Sequence, residues 1–239
     1  MEENAPNFLC VRGVSSRRIL RAAEPSRVRD VSLAIEPGTL NVLWGNEGSG
    51  KNLLLRLLGL LETPDVGEVF LHGAPTRALD EQLRLALRNQ HFGFVFDEPF
   101  LLDAFSVTEN VAMPLFKISG SGVDEARKHT ERVLEFVGLS EQAQTGVASL
   151  SPFDQRRVSL ARALVNRPEM LIVEDVDARV AARELAGFGE IVQRAKTDLG
   201  ITVIMSASSA VLECDRAIQL EAGAVAHDSH PVPAGGARA

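Results

Sequence analysis

The stretch Leu40-Asn41-Val42-Leu43-Trp44-Gly45-Asn46-Glu47-Gly48-Ser49-Gly50-Lys51-Asn52-Leu53-Leu54-Leu55 decides how the rest of the chain is read. A short apolar run enters a glycine loop, and the loop opens onto a leucine-rich segment of helical character. Gly45, Gly50 and Lys51 are spaced as in the phosphate-binding loop G-x-x-x-x-G-K-[ST]. Glycines there let successive backbone N–H groups curl around an anion, and the lysine reaches the outer phosphates. A plain glycine turn before a helix with an exposed lysine would use the same residues. The strand-loop-helix context favours the cradle, so Gly45, Asn46, Glu47, Gly48, Ser49, Gly50, Lys51, Asn52 and Leu53 are the candidate nucleotide-binding set. Asn52 departs from the pattern, because a Ser or Thr hydroxyl at that place would ligate magnesium.

Outward from this loop the apolar pattern alternates between strand and helix periods. Phe8–Val11, Val31–Ile35 and Leu40–Leu43 read as strands, with Ser15–Arg18 a basic loop and Pro37-Gly38 a turn. The segment from Lys51 is apolar almost all round, which predicts a buried helix. Glu68–Gly73 and Phe92–Phe96 predict further strands, separated by a helix over Leu79–Arg88. Residues 97–150 turn helical, and Ser151–Val165 predicts a helix ended by Pro168. Met170–Val173 and Thr202–Met205 suit central parallel strands covered on both faces, with a helix between them over Ala182–Thr197. Asp215–Leu220 and Gly223–Val225 predict a closing hairpin. Together these elements predict an α/β nucleotide-binding fold.

Composition bounds the function. The 239 residues are 45% hydrophobic and carry a formal net charge of −7, which suits a globular protein and argues against non-specific nucleic-acid binding. No apolar run approaches the ~18 residues of a membrane helix, and the acidic start Met1-Glu2-Glu3-Asn4 lacks a signal-peptide core. Cys10 and Cys214 form no ligand-spaced pair, so two reduced thiols are expected. His72 and His91 read as surface or turn residues, with no metal-ligand spacing in sequence.

The motifs now stand in an order that resembles an ATP-binding cassette (ABC) subunit over about residues 8–226. The phosphate loop is followed by Gly93-Phe94-Val95-Phe96, Ser106-Val107-Thr108-Glu109-Asn110-Val111, Leu150-Ser151, Gln155-Arg156-Arg157-Val158, Ala161-Arg162-Ala163-Leu164 and a strand ending at Glu174-Asp175. The strings Glu109–Leu115 and Ala163–Pro168 are similar to the lipoprotein-release and macrolide-export branch. The resemblance implies a P-loop NTPase (RecA-like) core with a mostly parallel central sheet, an antiparallel β subdomain and a helical lobe inserted at about 97–160. Residues 227–239 are expected to form a disordered tail. It further implies ATP and Mg2+ as cofactors and a membrane permease as partner. A second cassette, identical or different, is the other expected partner. The expected location is cytoplasmic, peripheral to the inner membrane.

Against that family the chain departs where chemistry is done. Asp97 stands where a Gln contacts magnesium and the attacking water. The family's Asp-then-Glu pair is reversed: Glu174 falls at the metal position beside Asn52, and Asp175 at the general-base position. Ser208 stands at the switch-His position, and Val180-Ala181 where an Asp would cross the dimer interface. No Tyr is present to stack on adenine, and Arg18 lies near that place. The signature Leu-Ser-Gly-Gly-Gln, which holds the opposite subunit's γ-phosphate, reads Leu150-Ser151-Pro152-Phe153-Asp154. Pro152 has no N–H to donate, while Ser151, Pro152 and Asp154 make a good ordinary helix start. The expectation is a subunit that binds nucleotide weakly, hydrolyses it poorly and acts as a regulatory or structural partner. The rivals are a working ATPase with exchanged carboxylates and a nucleotide-free scaffold. Phe100-Leu101-Leu102 and Phe105-Ser106-Val107 are the expected docking segment for a permease helix, or else lobe core.

Overall fold

The computed structural model describes residues 8–18, 26–116, 122–178, 181–209 and 213–230. The strands are β1 (Leu9–Arg18), β2 (Ser26–Ile35), β3 (Leu40–Trp44), β4 (Val66–Leu71), β5 (Ala74–Pro75), β6 (Phe92–Val95), β7 (Met170–Val173), β8 (Thr202–Ala207), β9 (Arg216–Glu221) and β10 (Ala224–Asp228). The helices are α1 (Lys51–Leu58), α2 (Glu81–His91), α3 (Val107–Pro114), α4 (Val123–Phe136), α5 (Pro152–Leu164) and α6 (Ala182–Leu199). One sheet has the order β2-β1-β4-β5 with antiparallel pairs, and the other has the order β10-β9-β3-β8-β7-β6. Within the second sheet β9, β3, β8, β7 and β6 run parallel, and β10 closes the edge antiparallel to β9.

The side-chain period of two explains the layering. Leu43, Met170, Ile172 and Ile204 face one apolar core with α1 and the first sheet. Their neighbours Val42, Leu171, Val173, Val203 and Met205 face the other core, with α3 to α6. Both faces of the parallel strands are therefore covered, which is why their sequences read as unbroken apolar runs. Helix α1 lies between the sheets: Leu53, Leu54, Leu55, Leu57 and Leu58 have no exposed surface. Truncating any of them to Ala would cost about 2–5 kcal/mol.

Three sequence expectations need correction. Ser15–Arg18 is not a loop but the second half of β1. Register shifts between Val11 and Val14 and between Val14 and Ser16 break the alternation that would have marked a strand. Residues 97–106 form no helix; α3 begins only at Val107, where Ser106 and Glu109 close a capping box. At the other end β10 runs through Asp228, past residue 226. It does so because Asp228 is bound to Arg216, whose side chain is 4% exposed. Residues 231–239 lie outside the described residues.

Candidate nucleotide site

Apart from the signature turn, the loops that carry the candidate residues leave the same edge of the parallel sheet. Residues 45–50 follow β3, Asp97 follows β6, Glu174 and Asp175 follow β7, and Ser208 follows β8. Because these strands are parallel, their C-terminal ends line one crevice, the usual ligand edge of an open α/β sheet.

The glycines of the loop are required by close approach. A Cβ on Gly45 would stand 2.4 Å from the Leu220 carbonyl oxygen, and one on Gly50 would stand 2.2 Å from that of Arg27. Gly50 also has φ 96° as the N-cap of α1. That helix start has no side-chain cap and no acidic residue in its first turn. Its leading N–H groups, which have no partner within the helix, can therefore receive an anion. The loop borders a cleft shared with Gln219, Leu220, Glu221 and Ala222 of the β9–β10 hairpin.

Lys51 is 8% exposed, and its Nζ lies 3.6 Å from Asp175 Oδ1. Asn52 Nδ2 donates to Asp175 Oδ2 at 2.6 Å. Asp175 is thus a carboxylate that meets the phosphate loop. Glu174, expected beside Asn52 as a metal ligand, accepts from Arg56 Nη1 at 2.9 Å, while Asn52 is bound to Asp175. The physical reason lies in backbone and helix geometry. Asp175 has a left-handed φ of 43°, so the two consecutive carboxylates do not alternate as in a strand. Both reach the same face of α1, where residues 52 and 56 sit one turn apart. The Asp175 amide, in turn, donates to Ser206 Oγ at 2.8 Å.

A hard cation such as Mg2+ takes oxygen ligands. Asn52 Oδ1 is buried without a hydrogen-bond partner, and Asp175 brings a carboxylate to the same place. These two residues fit a cation there. Lewis-acid polarisation of the phosphate oxygens is the chemistry such an ion supplies when bound.

Other substituted positions are also tied within the chain. Ser208 donates its amide and hydroxyl to Asp177, with the amide at 3.0 and 2.9 Å. Arg18, near the expected adenine position, is held by Glu62, Asp65 and the Thr63 carbonyl oxygen. The Asp65 hydrogen bond raises the Arg18 pKa against the cost of burial. Val180 lies outside the described residues, and Ala181 caps α6.

At the signature turn, Ser151 Oγ accepts from the Asp154 amide at 3.1 Å, with Pro152 opening α5. Asp154 accepts from Arg157 Nε at 3.1 Å. The Phe153 ring packs on the core with the Arg157 guanidinium 5.3 Å from its centroid.

Arg156 has no role of its own in the string Gln155-Arg156-Arg157-Val158, and the structure makes it central. It is 5% exposed and donates to the carbonyl oxygens of Glu174, Asp175 and Ala178. It thereby staples α5 to the segment after β7. Burial pushes its pKa down, while the charges of Asp97, Asp175 and Asp177 push it up. Asp177, two residues after the Glu174-Asp175 pair, joins this cluster through Ser208. An arginine buried by tertiary packing has no local signal in the sequence.

The geometry now has counterparts. A family model described as ABC transporter matches residues 28–177. The lipoprotein-releasing system ATP-binding protein LolD of Bordetella pertussis is 34% identical over 209 residues, covering 85% of this chain and 90% of that protein. The LolD protein of Maricaulis maris is 40% identical over 157 residues, covering 66% and 68%. The solved dimeric, post-hydrolysis structure of the ATP-binding cassette MJ0796 with ADP and Pi superposes with a TM-score of 0.82 at 25% identity, covering 95% of this chain and 99% of that one. The chain belongs to the ABC transporter family, and its fold is that of the ATP-binding cassette.

Proposed function

We propose that this chain is a cassette subunit of a lipoprotein-release type transporter, engaging nucleotide phosphate weakly at Gly45–Asn52 and hydrolysing it poorly. It docks on a permease from the cytoplasmic side and pairs with a cassette, where it acts as a regulatory or structural subunit. The transport class rests on its likeness to the LolD proteins. The catalytic reading rests on one observation: Asp175, the carboxylate at the expected base position, is bound to Asn52 and 3.6 Å from Lys51. A general base must reach the proton it abstracts, and losing one typically costs ~10²–10⁴-fold.

In the family each site joins the phosphate loop of one subunit to the signature of the other. Pairing with an intact cassette would therefore leave one altered half in every site. Docking is supported by Phe100, Leu102 and Phe105, which are 62%, 43% and 39% exposed on the segment expected to meet a permease.

The test is steady-state ATP hydrolysis by purified protein, alone and with its permease. Turnover of ~1 s⁻¹ or more, an ordinary enzyme rate, would overturn the reading. It would favour the rival in which Asp175 serves a bound metal, a role that its contact with Asn52 supports. ATP-induced thermal stabilisation that disappears in Lys51→Ala excludes the nucleotide-free scaffold.

A further inference from the structure

His72, His91 and Glu169 lie 19 to 97 residues apart in sequence, and the fold brings them together at the sheet edge opposite the phosphate loop. Strands β6 and β7 pair in parallel with Phe92 beside Met170. The residues just before them, His91 and Glu169, are consequently neighbours at the N-terminal ends of the strands. His72 arrives from the other sheet, on the two-residue turn between β4 and β5. His72 and Gly73 both have positive φ, 50° and 78°, as the primed hairpin turn requires. The turn is tied down by the His72 amide, which donates to the Phe8 carbonyl oxygen at 2.8 Å.

His91 Nδ1 lies 3.0 Å from Glu169 Oε1, and His72 Nε2 lies 2.9 Å from Glu169 Oε2. One ligand atom from each of the three residues lies within 4.8 Å of the other two. Two imidazoles and one carboxylate make a known donor set for zinc with a further position left open. Bond lengths of about 2.0–2.2 Å hold tetrahedral ligand atoms about 3.3 Å apart, so the gap to close is no more than about 1.5 Å for any pair. The side chains free to close it are His72 and Glu169, 46% and 44% exposed, while His91 is held at 10%.

We propose that His72, His91 and Glu169 form a binding site for a divalent transition-metal ion of the zinc class. The ion clamps the β4–β5 turn of the antiparallel sheet to the start of β6 and β7 in the parallel sheet. Binding exchanges the two imidazole–carboxylate contacts for metal–nitrogen and metal–oxygen bonds and leaves a solvent-facing position for water. The site shares no residue with the phosphate loop and does not depend on nucleotide.

The experiment uses the full, tag-free chain stripped with chelator and titrated with zinc chloride by calorimetry, with the melting temperature followed in parallel. One equivalent of zinc is expected, together with a rise in melting temperature. His72→Ala and His91→Ala should each weaken binding at least about tenfold, since even an outer-shell partner is worth about 10–100-fold in metal affinity. A His227→Ala/His230→Ala double variant, altering exposed histidines elsewhere, should bind as the parent does. His91 is buried and its variant can fail to fold; the half-exposed His72→Ala variant keeps the test decisive. Less than one equivalent of zinc, or unchanged affinity in His72→Ala, overturns the proposal and leaves a hydrogen-bonded His–Glu–His contact alone.

Discussion

Two helix starts differ in how their leading backbone groups are used. Helix α1 begins at Gly50 with no side-chain cap and no acid in its first turn. Helix α5 begins at Ser151 with a side-chain cap, a proline and Asp154. Both places would meet phosphate in the family resembled. The first leaves its N–H groups and its positive dipole end available to an anion. The second uses one of these groups internally: Ser151 takes the Asp154 amide, Pro152 has no N–H, and the Asp154 carboxylate is bound to Arg157. On the proposed reading, an anion site at this helix start is lost without damage to the helix. Ser151, the cap, is shared with the family signature, and the residues that depart from it, Pro152 and Asp154, also suit a first helical turn.

The largest expected effect lies at the first start. Gly50→Val adds a Cβ 2.2 Å from the Arg27 carbonyl oxygen at a φ of 96°, and should cost about 2–4 kcal/mol in denaturant unfolding. An unchanged midpoint would mean that the loop is not held in this shape. Lys51→Ala comes next. It should abolish ATP-induced stabilisation, a loss of at least about tenfold in affinity, or about 1.4 kcal/mol, read by thermal shift with ATP titrated in. Equal stabilisation in both proteins would remove the phosphate loop from the binding reading.

Smaller effects are expected at the second start, and they should leave ATP-induced stabilisation untouched in the isolated chain. Ser151→Ala should cost about 1 kcal/mol by removing the cap, as measured by chemical unfolding. Asp154→Asn should cost less, about 0.3–1 kcal/mol, through the helix dipole. If Asp154→Asn instead raised ATP affinity in a mixture with an intact cassette, the contrast would sharpen, because charge at this turn would then be what repels the opposite subunit's phosphate. No change in either measurement would show that neither the Asp154 charge nor its contact with Arg157 matters at this turn.

Much of this site was legible because it is local. Gly45 to Lys51 is one continuous motif, and Ser151-Pro152-Phe153-Asp154 states its own cap within four residues. The buried parallel strands also announced themselves, since Met170–Val173 and Thr202–Met205 are apolar on both faces. The half of β1 after Gly13 was hidden, because register shifts disturb the period of two. The function of the pair Glu174-Asp175 could not be read from order alone. Which carboxylate meets Asn52 depends on a left-handed backbone at Asp175 and on a helix packed from far earlier in the chain.

The sequence by itself determined the strand-loop-helix, the uncapped start of α1 and the capped start of α5, because hydrogen bonds within a few residues follow from spacing and residue type. Only the tertiary structure decided that Asp175 reaches Asn52 from 123 positions away, that Arg156 is buried against Glu174 and Asp175, and that His72, His91 and Glu169 share one corner. These contacts are set by the register of parallel strands and by the layering of two sheets about α1. Both are long-range consequences of burying apolar surface, and neither is written in local spacing.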